Sequence, residues 1–494
     1  MSNKPGQSGR PPADALDLDR DACYRALVAR DSRFDGRFYT AVLSTGIYCR
    51  PICPARTPKL ENCLFLPTAA AAHQMGFRPC LRCRPEAAPG LAVHRGSANT
   101  VSRALCLIAE GALDQDGIEQ LASRLGVGGR HLRRLFDRHV GASPIAVAQA
   151  HRILFAKTLI DGTVLPMTEI ALAAGFGSIR RFNEVFRRAY GRPPHSLRRH
   201  DRTGTLAAGI TLTLPFSPPY DWPAMLDFLR GRAIPSVESV EEGRYLRSFV
   251  VGSQPGWVEV SHPKDANHLL ATIHAEAVSV LSTVVARLRR LFDLDADIAV
   301  IDAHLAADPR LAERVRQRPG LRVPGAWDAF ELAVRAILGQ QVSVAAATTF
   351  AGRLAGAFGR PLPQPAAAVT RLFPQASVIA EADLTGIGLT RSRAQALQSL
   401  ARSLGTDPAL LTGGDSLDDT VARLGRLPGI GPWTAHYIAM RALREPDAFP
   451  AADLGLLRAM ETADGRPTPK ALLQMAEAWR PWRAYAALRL WIQE

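Results

Sequence analysis

The stretch Leu427-Pro-Gly-Ile-Gly-Pro-Trp-Thr434, followed at short range by Asp453, decides how the C-terminal half of this chain is read. Upstream of it, Asp415 to Leu424 has the apolar spacing of a short helix. Gly429 and Gly431 supply turn positions where a side chain would obstruct, and Pro432 suits the first turn of a second helix. The pattern predicts a helix-hairpin-helix. A tight glycine turn opening onto a helix N-terminus exposes backbone N–H groups, which hold a phosphate oxygen without reading base sequence. Gly429, Gly431 and Thr434 are the expected contacts to a nucleic-acid backbone. Trp433 and Tyr437 lie four residues apart, on one face of the second helix, and Asp453 opens the next apolar run, Leu454 to Met460. The default reading of an aspartate there is an N-cap, and that of the two aromatics is core packing.

Together these residues resemble the helix-hairpin-helix DNA glycosylases, in particular the AlkA-type 3-methyladenine DNA glycosylase II. The resemblance runs from about Ile210 to the C-terminus. It includes Pro219-Tyr-Asp-Trp222, Met225 to Leu229, Ala336-Ile-Leu-Gly-Gln-Gln-Val-Ser343 and Trp479-Arg-Pro-Trp-Arg-Ala-Tyr485. It implies that Asp453 is catalytic, that Trp222, Phe228, Trp433 and Tyr437 wall the base pocket, and that Gln340 and Gln341 form the wedge filling the gap of an everted nucleotide. Gln341 stands where relatives carry leucine. The implied substrates are N3- or N7-alkylated purines, whose positive charge suits electron-rich rings. No lysine stands beside the hairpin for Schiff-base chemistry, so a monofunctional glycosylase without a cofactor is expected. The chain stops at Glu494 and is expected to lack the extension that brings a further tryptophan to the pocket in relatives.

At 494 residues, 47% hydrophobic, the chain is long enough for three or four domains. Its net charge of +14 and pI near 10.0 point to a polyanionic partner. No apolar run is long enough to span a membrane, and the first twenty residues read as a flexible tail rather than a signal peptide. The expectation is a cytoplasmic protein on the nucleoid, partnered by double-stranded DNA and not by a membrane.

Cys49-x3-Cys53 and Cys80-x2-Cys83 form two short clips able to close a tetrahedral four-thiolate site around one zinc ion. From spacing alone such a site is by default structural. The surrounding residues, Thr45-Gly-Ile-Tyr-Cys-Arg-Pro-Ile-Cys53 and Gly76-Phe-Arg-Pro-Cys-Leu-Arg-Cys83, are similar to the N-terminal domain of the Ada methylphosphotriester-repair proteins over about Asp21 to Pro85. That resemblance implies that Cys49 is both zinc ligand and methyl acceptor, acting once. Losing a negative charge on methylation would lower repulsion from DNA phosphate and so switch on transcription. Cys23, Cys63 and Cys106 receive no role, Cys106 being expected buried, and His73 is expected to be structural or exposed. The second methyltransferase signature Pro-Cys-His-Arg is absent, so O6-alkylguanine repair is not expected.

From about Thr100 to His200 the chain repeats itself. Ile118-x2-Leu121-Ala122-x2-Leu125-Gly126-Val127 returns as Met167-x2-Ile170-Ala171-x2-Ala174-Gly175-Phe176, and Leu132, Leu135, Phe136, Gly141 and Pro144 return as Phe182, Val185, Phe186, Gly191 and Pro194. Each copy reads as helix, glycine turn, basic helix. The pair resembles the AraC-type DNA-binding domain. Arg130, Arg134 and Arg181 are the expected base-facing residues.

Asp201 to Ala208 reads as a linker. Ile210 to Leu214, Tyr245 to Val251 and Trp257 to Val260 alternate as strands, Asp221 to Arg230 and His268 to Leu291 read as helices, and from Leu291 onward the pattern is almost wholly helical. The expected multidomain architecture is a tail (1–20), a small α/β zinc module (21–92), an all-α double helix-turn-helix (97–200), an α+β subdomain (206–290) and an all-α helix-hairpin-helix glycosylase domain (291–494). Its function would be DNA alkylation repair and the control of that repair, RNA polymerase being a further partner. The alternative is a regulator whose C-terminal half binds DNA without catalysis.

Overall fold

The computed structural model describes residues 20–31, 34–88, 99–114, 116–198, 209–412, 416–463 and 465–492. The expected tail, apart from Arg20, and the expected linker lie outside the described residues. The chain divides into two compact units, Met1–Ser217 with Asp265–Ala286, and Pro218–Lys264 with Arg287–Glu494.

In the first unit, strand Tyr39–Val42 pairs antiparallel with Cys63–Leu66 on one side and Ile47–Cys49 on the other, and Arg78–Pro79 joins Ile47–Cys49 in parallel. Helix Ala69–Gln74 buries four consecutive alanines, with Thr68 as its N-cap. Two helix pairs follow, Ile118–Arg124 with Gly129–His139 and Met167–Ala173 with Ile179–Tyr190, and the helix Pro144–Gly162 runs between them. The repeat holds at the level of the backbone. Gly126 and Gly175 follow the first helices at φ +74° and +79°, and Gly141 and Gly191 follow the second at +69° and +70°, the left-handed positions a glycine ends a helix with. Phe136 is buried in one copy as Phe186 is in the other.

Strands Ile210–Pro215 and His268–Ala275 pair antiparallel in the same unit. This corrects the expectation of a helix from His268 to Leu291, since a short 3-10 turn begins at Val278 and the α-helix only at Leu281. Leu269, Ala271 and Ile273 are buried in alternation, and this period of two, with Thr272 and Ile273 branched at Cβ, favours the strand.

In the second unit Glu238–Glu241, Arg244–Val251 and Gln254–Ser261 form an antiparallel meander. Asp221 caps helix Trp222–Arg230, accepting from the Ala224 N–H at 2.9 Å. From Leu291 onward the named elements among the described residues are helices apart from the small strand pair Pro361–Ala366 and Val369–Arg371. Helix Pro432–Arg441 is shared between two cores. Ala435 and Ile438 pack with Leu424, Ile430 and Leu397, while Ala439 and Met440 pack with Phe449, Leu456 and Trp479. Anything mounted on this helix is therefore held from both sides.

Candidate active site and metal centre

The hairpin forms where the turn chemistry places it. Ser416 caps helix Leu417–Leu424, accepting from the Asp419 N–H at 3.1 Å, and Gly429 turns the chain at φ +78°. A Cβ at Gly429 would lie 2.6 Å from that of Ala396, so the glycine is required by conformation and by space. Gly431 precedes helix Pro432–Arg441 with no side-chain cap, and a Cβ there would meet nothing within 4 Å. The first amides of the helix thus open onto an uncluttered surface, as an anion site requires. Thr434 does not fit the expected role through its side chain. It is buried, and its Oγ1 accepts from Gln340 Nε2 at 2.9 Å.

Asp453 is the N-cap of helix Leu454–Ala459, and its Oδ1 accepts from the Leu456 N–H at 3.1 Å. It is also bound by two indoles. Trp433 Nε1 donates to Oδ2 at 2.8 Å, and Trp491 Nε1 donates to Oδ1 at 2.9 Å. The Trp433 ring stacks on Tyr437 with centroids 5.3 Å apart and planes 12° from parallel, and Trp491 lies 6.2 Å from Tyr437. The carboxylate thus sits at the rim of a three-ring aromatic group, held by three N–H donors, with no ion pair among the described residues.

The sequence was expected to lack the extension that brings a further tryptophan to the pocket in relatives; the last turn of helix Arg483–Trp491 brings Trp491 to Asp453. One local signal was available in Gly455. A Cβ there would stand 3.2 Å from Trp491 Cδ1 and 3.0 Å from Asp453 Oδ1, so the absence of a side chain admits the indole.

Behind the rings lie cations. Arg441 donates from its NH1 to the Tyr437 hydroxyl at 2.8 Å. Burial alone would push the Tyr437 phenol up, but the charges of Arg441 and Arg232 override it and draw the group down to about 8. Phe228 is clasped between the guanidiniums of Arg232 and Arg441, at 3.8 and 4.7 Å from its centroid, and so belongs to this neighbourhood at one remove. Trp222 does not. It is 7% exposed, packs against Phe292 at 5.4 Å and donates to the Gly243 carbonyl at 3.2 Å. No ring contact joins it to Trp433, Tyr437 or Trp491 among the described residues. As the first residue of its helix it is turned towards the meander.

The expected wedge residues part company. Gln341 is exposed at φ +56°, whereas Gln340 is half-buried and directs its amide at the hairpin. The Gln340 carboxamide is engaged by two hydrogen bonds to the hairpin, so of the two expected wedge residues Gln341 is the one left exposed.

In the first unit the sulfurs of Cys49, Cys53, Cys80 and Cys83 lie within 4.8 Å of one another. Cys53, Cys80 and Cys83 are buried and accept from the backbone N–H groups of Ala55, Cys83 and Arg50, while Cys49 is half-buried. Hydrogen bonding among the sulfurs pushes Cys49 and Cys83 up and Cys53 and Cys80 down. A divalent cation is the charge that lets all four ionise together, so the donor set fits zinc. Arg50 is fixed by Asp35, its Nε donating to Oδ1 at 2.8 Å. His73 is structural, bonded to the Tyr48 hydroxyl at 3.0 Å, and burial draws it down to about 4. Cys106 is half-buried, not buried as expected.

On the basic helices, Arg130, Arg134 and Arg181 are all exposed. Arg134 contacts His131 at 3.0 Å and Arg181 faces Glu184 at 3.4 Å, both weak surface restraints.

Four family models match the chain in order: the metal binding domain of Ada at residues 22–86, a helix-turn-helix domain at 121–200, the AlkA N-terminal domain at 211–328, and the HhH-GPD superfamily of base excision DNA repair proteins at 334–484. The probable bifunctional transcriptional activator/DNA repair enzyme AlkA of Mycobacterium tuberculosis (strain CDC 1551 / Oshkosh) is 42% identical over 96% of both chains. The chain belongs to this bifunctional activator and repair-enzyme family. DNA-3-methyladenine glycosylase 2 of Escherichia coli (strain K12) is 38% identical over 57% of this chain and 97% of its own. Among solved structures, the 3-methyladenine DNA-glycosylase from Archaeoglobus fulgidus matches with a TM-score of 0.50 and 21% identity over 56% of this chain and 96% of its own, a likeness of fold. The family assignment agrees with the architecture read from the sequence: zinc module, helix-turn-helix, then glycosylase fold. No described helix is long and apolar enough to cross a membrane.

Proposed function

We propose that the second unit hydrolytically excises N3- and N7-alkylated purines from DNA, and that the first accepts a methyl group at Cys49 and then activates transcription. The observation that carries the first part is the Asp453 carboxylate, fixed by the Trp433 and Trp491 indoles beside the Tyr437 ring. Backbone amides at Gly429, Gly431 and the start of helix Pro432–Arg441 would hold the strand, and the exposed Gln341 would occupy the gap left by the everted base. A cationic purine leaves with the electron pair of its glycosidic bond and becomes neutral. The sugar is left with oxocarbenium character, which the Asp453 charge stabilises. Water then adds to the anomeric carbon and gives up a proton to Asp453 and on to solvent. Lys470, on the exposed side of another helix, is the single lysine between 291 and 494, which favours a monofunctional enzyme over a lyase.

The reading of Cys49 rests on its being the one half-buried residue among the four cysteines, the other three being buried. Zinc bound there would keep the sulfurs as thiolates at neutral pH. Cys49 Sγ would attack the methyl carbon of a methylphosphotriester, the carbon–oxygen bond would break, and a thioether and a phosphodiester anion would result. Arg130, Arg134 and Arg181 are proposed to read promoter DNA, with RNA polymerase as the next partner, in a cytoplasmic protein on the nucleoid.

The test is release of free alkylpurine from alkylated duplex DNA. Wild type should release it, and Asp453→Asn should be slower by at least about a hundredfold, the usual scale for losing a group that stabilises developing charge. No release by wild type, or equal release by the variant, would leave a regulator whose second unit only binds DNA. Separately, methyl label from methylphosphotriester DNA should reach wild type and not Cys49→Ser.

A further inference from the structure

Gln340 and Gln341 are neighbours with opposite surroundings. Gln341 is exposed in the left-handed region, which a side chain adopts only where its surroundings enforce it. Two capped helices enforce it here. Before it, helix Ala329–Leu338 closes with the Gly339 N–H bonded to the Arg335 carbonyl at 2.9 Å; after it, Ser343 caps helix Val344–Phe358, accepting from the Ala346 N–H at 3.2 Å. Gln340 faces the other way. Its Nε2 donates to the Gly429 carbonyl at 2.7 Å and to Thr434 Oγ1 at 2.9 Å, and its own carbonyl accepts from Arg393 NH2 at 2.6 Å. These partners are the left-handed glycine of the hairpin turn and the third residue of the hairpin helix, 89 and 94 residues further along the chain.

We propose that Gln340 is a positioning residue that fastens Gln341 to the hairpin turn, so that gripping a strand and prising a nucleotide out of it are one mechanical event. The inference rests on the excision reading above and adds to it how the parts are coupled. Entering a stacked duplex costs several stacking contacts, and a loop free to recoil would not hold the gap open. Here the recoil is passed through one carboxamide to the turn that holds the backbone. Both of its N–H bonds are already directed at hairpin acceptors, so Gln340 cannot itself enter the duplex without stranding the Gly429 carbonyl.

Gln340→Glu tests this with almost no change of shape, because it sets an acceptor against the Gly429 carbonyl, which can only accept. Thr434→Val removes one acceptor from the opposite side at a buried position where an apolar group is tolerated. Single-turnover base release is measured on the same alkylpurine, once in a fully paired duplex and once opposite an abasic site, where less stacking resists eversion. A neighbouring 2-aminopurine reports unstacking by fluorescence. The paired-to-unpaired rate ratio should fall about tenfold or more in Gln340→Glu and less in Thr434→Val, with slower unstacking in both, as befits the loss of one or two buried hydrogen bonds. A ratio and an unstacking rate equal to wild type in both variants would refute the coupling even with wild type active. No release by wild type on either substrate would instead sink the excision reading, and this inference with it.

Discussion

Asp453 accepts three hydrogen bonds, two from indoles, and an indole N–H can only donate. Each indole therefore fixes one oxygen of the Asp453 side chain. Trp491→Phe keeps a ring beside Tyr437 and removes one donor. A hydrogen bond to a charged group is worth about 1.5–3 kcal/mol, so single-turnover excision should fall by roughly ten- to a hundredfold if the bond acts in the transition state. Affinity for abasic DNA should change little, and gel-shift titration beside the rate measurement separates the two. Tyr437 carries a second prediction. Burial raises Tyr48, Tyr190, Tyr220, Tyr245 and Tyr485, while Arg441 and Arg232 draw Tyr437 down to about 8 against its own burial. A phenol with a folded pKa below its unfolded value of about 10 adds stability as pH rises from 8 to 10, stability that is absent below 8. Absorbance at 295 nm should therefore show one tyrosine ionising near pH 8 in wild type and none there in Tyr437→Phe. Asp453 was legible in the sequence because it follows a recognisable hairpin at short range. Trp491 was not, since it lies 38 residues away at the end of an apolar helix, and the packing that brings it near leaves no local trace beyond the missing side chain at Gly455.

At the scale of elements, the hairpin separates two jobs that its glycines share in sequence. Gly429 is at φ +78° with Ala396 in the way, so Gly429→Ala adds left-handed strain and a clash, together about 2–4 kcal/mol. Gly431 is at φ −83° and faces open space, so Gly431→Ala should fold normally but set a methyl where a phosphate would lie. The expected outcome is a lowered thermal midpoint for the first variant, and for the second an unchanged midpoint with weaker, sequence-independent DNA binding. Turn chemistry is local, which is why Leu427 to Thr434 could be read correctly from its letters. The same holds for the twice-repeated glycines of the helix-turn-helix pairs. His268 to Ala275 shows the limit. Its apolar residues satisfy both a helical and an alternating pattern, and the choice fell to pairing with Ile210–Pro215, a partner more than fifty residues away. Gln340 shows the same limit at smaller scale. A pair of adjacent glutamines cannot reveal that one is turned to Gly429 and the other left exposed.

For the whole molecule, the four-sulfur cluster and the Asp453 group belong to different compact units, each with its own buried cores. The zinc module is small. One of its hydrophobic clusters is built on Tyr39, Tyr48, Leu66 and Phe77, and a core of that size cannot by itself offset the cost of ordering the chain around it. Further stability comes from packing on the helix-turn-helix of the same unit, through Ala70, Leu154 and the Lys157–Glu86 ion pair, and a bound metal would add its binding free energy where the site exists only in the folded state. Without a cation, four sulfurs within 4.8 Å would also have to remain partly protonated. Chelation with a strong zinc ligand should therefore lower the melting of the first unit by a large margin, split thermal unfolding into two steps, and abolish methyl acceptance. Alkylpurine release should persist at close to its original rate, because no residue of the Asp453 site lies in the unit that loses the metal. Calorimetry with and without chelator, paired with the base-release assay on the same samples, reads both halves at once. A single unfolding step unmoved by chelation would show that zinc contributes nothing to the fold, and excision lost in step with zinc would show that the two units work as one.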